Sequence, residues 1–337
     1  MARKAKAISQ DISDNRTRLI DCLSFVSFAS KDDETDKYTY VKIKDGFMTA
    51  ADHTILMGGP VDVDLELCLH GLQFKAALEQ CGQNFQLVQM DKQAVSIRSD
   101  KFRALIPAIG ADLIAPYTAD PPCGAMTDKI KTMFEILSPI VTCKDDRTIN
   151  NCLQLNNNSG VATNGHVLLE YWHGINLPDN LKIPKRAIQA VAKVRKPLLY
   201  FGFTEHSVTF YFEDGYFIKT NLIATEYPDT KSLLDRNFNR QFYEKPSDFY
   251  KGLLAIHSFV VDDTIYFHRD FLATHASLEI GANYRIDGLP DYLSYSAKGL
   301  KFIEEYTHNI NFPTDQSTPL AFYSTNVRGL LMGKHRA

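Results

Sequence analysis

With 337 residues, 45% of them hydrophobic and 11% aromatic, the chain belongs among ordinary folded proteins and is long enough for two or three domains with a substantial core. No apolar run approaches the roughly 18 residues of a membrane span, and Met1-Ala2-Arg3-Lys4-Ala5-Lys6 lacks the apolar stretch of a secretory signal, so a soluble, cytoplasmic protein is expected. The net charge of -3 announces no nucleic-acid binder, and only the distribution of charge can do so.

The opening residues read as a frayed tail, followed by an amphipathic helix from Asn15 to Phe28 with Leu19, Cys22, Leu23 and Val26 on one face. After a charged loop at 31–36, Tyr40 to Lys44 alternates, Asp45-Gly46 signals a hairpin, and Phe47 to Met57 continues until Gly58-Gly59-Pro60 stops it. A second helix is predicted from Leu69 to Cys81. Strands at Phe85–Met90, turning at Asp91-Lys92, then at Ala94–Arg98 and Phe102–Ile106 complete the set.

The pattern restarts at Thr127, with Ile130, Met133, Phe134 and Leu137 as a stripe ending at Pro139. Strands are expected over 149–173, a helix from Pro184 to Lys196, strands over 198–223 and a connector from Thr225 to Asp235. A third round has a helix from Pro246 capped by Ser247, strands from Thr264 to Ile286, a helix from Ser294 to His308 and strands from Ile310 to Met332. Helix, strands, helix, strands thus recurs at offsets of about 110 to 120 residues, a typical domain size.

The six predicted helices carry thirteen Lys and Arg against seven Asp and Glu, a balance of +6 in a chain of net charge -3. If they share one surface, that surface is basic inside an acidic molecule. The Pro184 helix holds Lys185, Arg186, Lys193, Arg195 and Lys196 with no acid. Exposed helices commonly mix signs to gain pairs one turn apart, so this one points to an anionic partner such as a phosphate backbone.

The six cysteines form no Cys-x-x-Cys pair, which fits reduced thiols and opposes a zinc site or a disulfide framework. Phosphate-loop, dinucleotide-fingerprint, zinc-protease and nucleophile-elbow patterns are absent. His166 has no nucleophile or carboxylate at a recognisable spacing, and a packed or hydrogen-bonding histidine in a hairpin turn is the stronger reading. The run Tyr200 to Phe212 reads as sheet core before base stacking. No enzyme, cofactor or metal is implied.

Ala162-Thr163-Asn164-Gly165-His166-Val167-Leu168, then Ile183-Pro184-Lys185-Arg186, a paired hairpin and Tyr227-Pro228-Asp229 resemble, in that order, the middle domain of the bacterial-type β sliding clamps. These are the processivity subunits of DNA polymerase III. Asp45-Gly46-Phe47 with Ala50-Ala51-Asp52 is similar to the family's first domain, and Leu330-Leu331-Met332-Gly333-Lys334-His335-Arg336 to its tail. Asn164 stands where the family has aspartate, Val167 where it has arginine and Gly333 where it has proline. With the short length, this reads as a divergent, phage-encoded clamp, working in the cytoplasm of a bacterial host.

The resemblance implies an α+β chain of three topologically similar clamp domains, residues 1–122, 123–235 and 236–337. Two chains would close head to tail into a homodimeric ring, helices lining the interior and antiparallel sheets outside. The ring would encircle double-stranded DNA without sequence choice and tether a DNA polymerase. Lys185, Arg186 and Lys193 match the family's DNA-contacting positions, and Lys129, Lys131, Lys144, Arg147, Lys298 and Lys301 are added by helix or loop placement. Linear peptides of the polymerase and clamp loader would enter a cleft at Ile149, Thr163, Gly165, His166, Leu168, Pro228, Leu233, Leu330 and Met332. Phe102, Leu105 and Leu254 are the expected dimer anchors, with core packing as their plain reading. A β-rich structural or assembly protein of viral origin, with no DNA-encircling role, is the alternative. A trimeric clamp of the proliferating-cell nuclear antigen type normally has two domains and fits the length poorly.

Overall fold

The computed structural model describes residues 12–29, 39–82, 84–90, 93–113, 118–141 and 151–334. The predicted charged loop at 31–36 and the turn at Asp91-Lys92 lie outside them. Helix, four strands, helix and three strands recur three times. The first round is α1 (Ile12–Val26), β1 (Tyr40–Lys44), β2 (Phe47–Ala51), β3 (Ile55–Pro60), β4 (Leu67–His70), α2 (Gly71–Gln80), β5 (Phe85–Met90), β6 (Ala94–Ser99) and β7 (Arg103–Gly110). A short β8 (Gly124–Ala125) leads into α3 (Lys129–Leu137), β9 (Cys152–Leu155), β10 (Ser159–Thr163), β11 (Val167–Trp172) and β12 (Leu181–Pro184). That second round ends with α4 (Lys185–Lys193), β13 (Leu198–Phe203), β14 (Ser207–Phe212) and β15 (Phe217–Asn221).

A helix, α5 (Thr230–Phe238), and β16 (Tyr243–Glu244) precede the third round. It comprises α6 (Phe249–Ile256), β17 (Thr264–His268), β18 (Phe271–Ala273), β19 (Asn283–Arg285), β20 (Leu293–Ser296), α7 (Ala297–Phe302), β21 (Asn309–Asn311), β22 (Leu320–Tyr323) and β23 (Val327–Leu331).

Six expectations need correction. Pro246 and Ser247 precede the third round's opening helix, which starts at Phe249 with Asp248 at its N-cap and no side-chain cap bond. Gly58-Gly59-Pro60 does not stop the strand but lies inside β3, where the rings of Phe217 and Tyr216 cross the two glycines so closely that a Cβ would collide. Leu69 and His70 belong to β4, so α2 starts at Gly71. Pro184 ends β12, an edge strand that tolerates the missing N–H, and the helix starts at Lys185. Ser294 to Ser296 pair with β17, so α7 begins only at Ala297, with the Ser296 hydroxyl accepting from the Gly299 N–H at 3.0 Å. The connector at 225–235 holds α5, nucleated by the Asp229 carboxylate accepting from the Ser232 N–H at 3.0 Å.

The described chain forms two compact units. One combines the residues up to Phe134 with Arg186–Leu222, and the other combines Glu135–Lys185 with the residues from Ile223 onward. The first is built on an eleven-stranded sheet, β5-β6-β7-β4-β1-β2-β3-β15-β14-β13-β8. Its joint is the antiparallel pair β3–β15, from Phe217↔Gly58 to Thr220↔Ile55. The second unit has an eight-stranded sheet, β12-β9-β10-β11-β23-β22-β21-β16, and a four-stranded one, β19-β18-β17-β20. Its joint is β11–β23, from Val167↔Leu331 to Tyr171↔Val327.

The two joints are approached by the same turn. Asp52 Oδ1 accepts from the N–H groups of Thr54 (2.7 Å) and Ile55 (2.9 Å), and Asn164 Oδ1 accepts from those of His166 (3.0 Å) and Val167 (2.8 Å). Alternation fills the cores: α4 buries Ala187, Ile188, Ala190 and Val191, and Leu19, Cys22, Leu23 and Val26 of α1 are fully buried as predicted.

Candidate functional site

The turn between β10 and β11 shapes the candidate cleft. The Thr163 hydroxyl donates to the Val167 carbonyl at 3.0 Å and accepts from the Gly165 N–H at 3.1 Å, while Gly165 takes a left-handed φ of 84°. Asn164 accepts from the His166 and Val167 N–H groups through Oδ1 as a neutral amide. His166 is left exposed, its carbonyl tied to the Met332 N–H at 2.8 Å.

Strand alternation then divides the predicted cleft residues between two faces of one sheet. Leu168 faces Leu330 across the ladder, and both are buried with Val161, Leu234 and Ala321 beneath Tyr227, Phe238 and Phe242. Pro228 and Leu233 are exposed at and on the helix that covers this face. Val167 and Leu331 point the other way, into a cavity of about 370 Å³ that also takes in His166, Met332 and Asn164. Thr163 and Gly165 shape the turn rather than a wall. Ile149 lies outside the described residues.

The remaining walls were not foreseen: Pro139 and Ile140 after α3, Ser296, Lys298, Gly299 and Phe302 around α7, and Lys334. Asp263 fixes this wall. Its Oδ1 accepts from the Lys298 N–H at 2.9 Å, its Oδ2 from the Ser296 hydroxyl at 2.7 Å, and its carbonyl from the Ala297 N–H at 3.1 Å. The only local signal was Ser296 as a helix N-cap.

The chain's last described residues close the rim. Lys334 Nζ donates to the carbonyls of Asp262 (2.9 Å) and Asp263 (3.1 Å), and its N–H donates to the Ser294 carbonyl at 2.8 Å. Gln316 bonds Ser294 in both directions at 2.8 Å and fills the space a Cβ at 333 would need.

Burial raises the Tyr227 phenol and lifts the Cys152 thiol to about 11, so both stay neutral behind this sheet. Bonds from Ser232 hold the exposed Asp229 carboxyl below the usual range.

The predicted DNA-binding cations fall into two groups. Lys185 is half-buried and Lys129, Lys193, Lys298 and Lys301 are exposed, and none has an ion-pair partner among the described residues. Lys193 also sits in the last turn of α4, where a cation suits the helix dipole. Arg186 and Lys131 are already engaged. Arg186 Nε lies 3.0 Å from Asp52 Oδ2, and Lys131 Nζ lies 3.2 Å from Asp128 Oδ1 and 3.0 Å from the Lys196 carbonyl. Lys144 and Arg147 lie outside the described residues. Of the interface candidates, Leu105 is 59% and Leu254 71% exposed, while Phe102 is partly covered.

Among the described residues no three metal-ligating side chains cluster, and no helix is long and apolar enough to cross a membrane. The sequence matches no protein-family model and no curated protein. The fold does match solved structures. The DNA polymerase III subunit beta of Pseudomonas aeruginosa superposes with a TM-score of 0.76 at 12% identity, covering 95% of this chain and 98% of that one. The chain has the sliding-clamp fold. The Caulobacter crescentus DNA polymerase sliding clamp gives 0.77 at 14% identity over 95% and 98% of the two chains. The Helicobacter pylori beta clamp, solved bound to a DNA ligase peptide, gives 0.75 at 16% over 96% and 99%. At these identities the likeness is one of fold, here an α+β fold of antiparallel sheets and seven described helices.

Proposed function

We propose that this protein is a DNA sliding clamp: a homodimeric ring of three clamp domains per chain, 1–122, 123–235 and 236–337, that encircles duplex DNA and tethers a polymerase without chemistry of its own. The observation that carries the reading is a pair of unused strand edges. In each round the strand after the turn is β3, β11 or β19, and the last strand is β7, β15 or β23. β3 joins β15 and β11 joins β23, which leaves β19 and β7. β19 is a sheet edge, and β4 pairs with only Ala108–Gly110 of β7, leaving Arg103–Pro107 without a strand on that side among the described residues. Two copies joined head to tail would pair these edges and cover Leu105 and Leu254, removing an aggregation hazard and closing a ring.

Lys185, Lys129, Lys298 and Lys301 are cations free to meet phosphates, with Lys193, whose Nζ lies 5.1 Å from the Phe28 ring centroid, and Lys144 and Arg147 as further candidates. Such contacts carry no sequence information, so the ring can slide. The cavity beside His166 and Met332 would take a linear peptide of a polymerase or loader, as the Helicobacter pylori clamp takes its ligase peptide. A phage-encoded clamp would do this in its host's cytoplasm.

The test is topological. The protein should stay on nicked circular DNA through gel filtration and leave when the circle is cut. Lys185→Glu with Lys193→Glu, four altered cations per two-chain ring, should shorten retention several-fold and reduce the salt slope by up to about 4. Equal retention on circular and linear DNA would favour the structural-protein reading instead.

A further inference from the structure

We propose that the first unit carries a peptide site of its own, a cavity of about 500 Å³ between α1 and the end of α4. It takes an acidic segment of a partner protein, anchored by one apolar side chain. Its lining belongs entirely to the first unit, as that of the cavity beside His166 belongs to the second. The assignment stands whether or not two chains close a ring.

Small residues keep this cavity open. Its floor is the β3–β15 joint, where Met57 faces Ile218 across the ladder, on the opposite side of the sheet from Leu56 and Lys219, and Tyr216 stands just before β15. Along α1, Cys22, Leu23 and Val26 are buried, whereas Phe25 and Phe28 are only half-buried and Ser24 is exposed. The α4 side supplies Ala190 and Val194. Larger side chains at Ser24 and Ala190 would fill the space between the two helices.

The rim is cationic. Lys193 and Arg195 are exposed and have no ion-pair partner among the described residues. Lys196 is held by Asp214 at 2.6 Å, and the Tyr216 phenol, lifted to about 12 by burial, adds no negative charge. Asp21 is the one acid of the lining. Two cations without an acid above an apolar floor suit carboxylates beside an apolar side chain, and a guanidinium can take a carboxylate in its fork.

The same rings suit a nucleobase less well, because their faces are already engaged. Arg186 lies 4.3 Å and Lys193 5.1 Å from the Phe28 ring centroid, and Lys196 lies 4.5 Å from that of Tyr216. Phe25 meets Tyr216 edge to face at 4.9 Å. A stacking base would have to displace a cation or a ring, whereas a side chain entering between α1 and α4 displaces neither.

The probe is a fluorescein-labelled peptide with a central tryptophan flanked on each side by two glutamates. It is titrated by anisotropy against the full-length protein, beside its glutamine version and a labelled oligothymidylate, with near-ultraviolet circular dichroism as a check on packing. The acidic peptide should saturate and bind at least tenfold more tightly than the glutamine one. Ser24→Trp, which plugs the cavity from an exposed position, and Arg195→Glu should each weaken it at least tenfold. Asp21→Asn should tighten it several-fold, a gain that misfolding cannot produce. Absence of saturable binding, or binding that these three variants leave unchanged, overturns the proposal. So does binding lost only in Lys298→Glu, which would place the peptide in the second unit. Tighter binding of the oligothymidylate with the same sensitivity to the variants would put a nucleic-acid strand in the cavity and overturn it as well. Should Ser24→Trp lose native packing, Asp21→Asn and Arg195→Glu decide. Retention of Ser24→Trp on circular DNA reports separately on the clamp reading.

Discussion

The faces of the two strand joints away from these cavities are built differently. At β3–β15 a buried carboxylate, Asp120, comes in from the segment before β8. It accepts from the hydroxyls of Ser207 (2.9 Å) and Thr209 (3.0 Å) and from Lys219 Nζ (2.7 Å), while its carbonyl takes the Tyr211 hydroxyl. Gly202 lies so close beneath that any Cβ would strike the carbonyls of Asp120 and Pro121. At β11–β23 the carboxylate belongs to the sheet. Glu170 pairs with Arg328 at 2.6 Å, and Arg328 reaches Asp235 of α5 at 3.1 Å while lying between Trp172 and Phe238. One joint is pinned by a linker with every acceptor used, the other overlaid by a helix whose charges reach solvent. On these faces the first is built to hold; the second has room to receive.

Breaking that contrast should start at Asp120. Asp120→Ala removes the buried carboxylate that Lys219, Ser207 and Thr209 share, leaving Lys219 the Thr118 carbonyl and Ser207 the Thr204 hydroxyl, and should cost about 3 kcal/mol, read by scanning calorimetry. A loss under about 1 kcal/mol would mean the linker is not pinned.

Alkali should sharpen the contrast with a smaller effect. Burial lifts the Cys22 thiol, behind the first joint, to about 12 and the Cys152 thiol, behind the second, to about 11, from 9.0. The folded state prefers both neutral and the unfolded chain releases their protons first, so this stability is whole below pH 9 and drains as pH climbs through 11 and 12. Mass spectrometry after brief alkylation should find Cys152 labelled ahead of Cys22 as pH rises; the reverse order would contradict the assignment.

The smallest effect belongs to the outer charges. Asp235→Ala breaks half-exposed pairs with Lys231 (2.7 Å) and Arg328 and should shift stability by less than about 1 kcal/mol. A larger loss would show α5 to be pinned like Asp120.

Much of this architecture was legible in local pattern. Asp45-Gly46 marks the β1–β2 hairpin, all six predicted helices exist, and their spacing exposes the threefold order of elements. Misreadings cluster where a distant partner overrides local preference. Gly58-Gly59 reads as a stop until Phe217 and Tyr216 arrive from more than 150 residues away. Ser294 and Tyr295 look helical until β17 claims them. Of the cavity's lining, His166 and Met332 surface through motif resemblance, whereas Asn164, Ser296, Lys298 and Phe302 join them only by the fold. Arg186 shows the limit of counting charge, since a cation on an acid-free helix proves to be spoken for by Asp52.

The brevity of β19 has a mechanical consequence. The joints inside one chain run to four facing pairs at β3–β15 and five at β11–β23, whereas β19 has three residues to give. A ring closed through it would carry its weakest ladder at each seam between chains. Loading onto a closed circle would then need no hinge within a chain, only the fraying of three residues on one side.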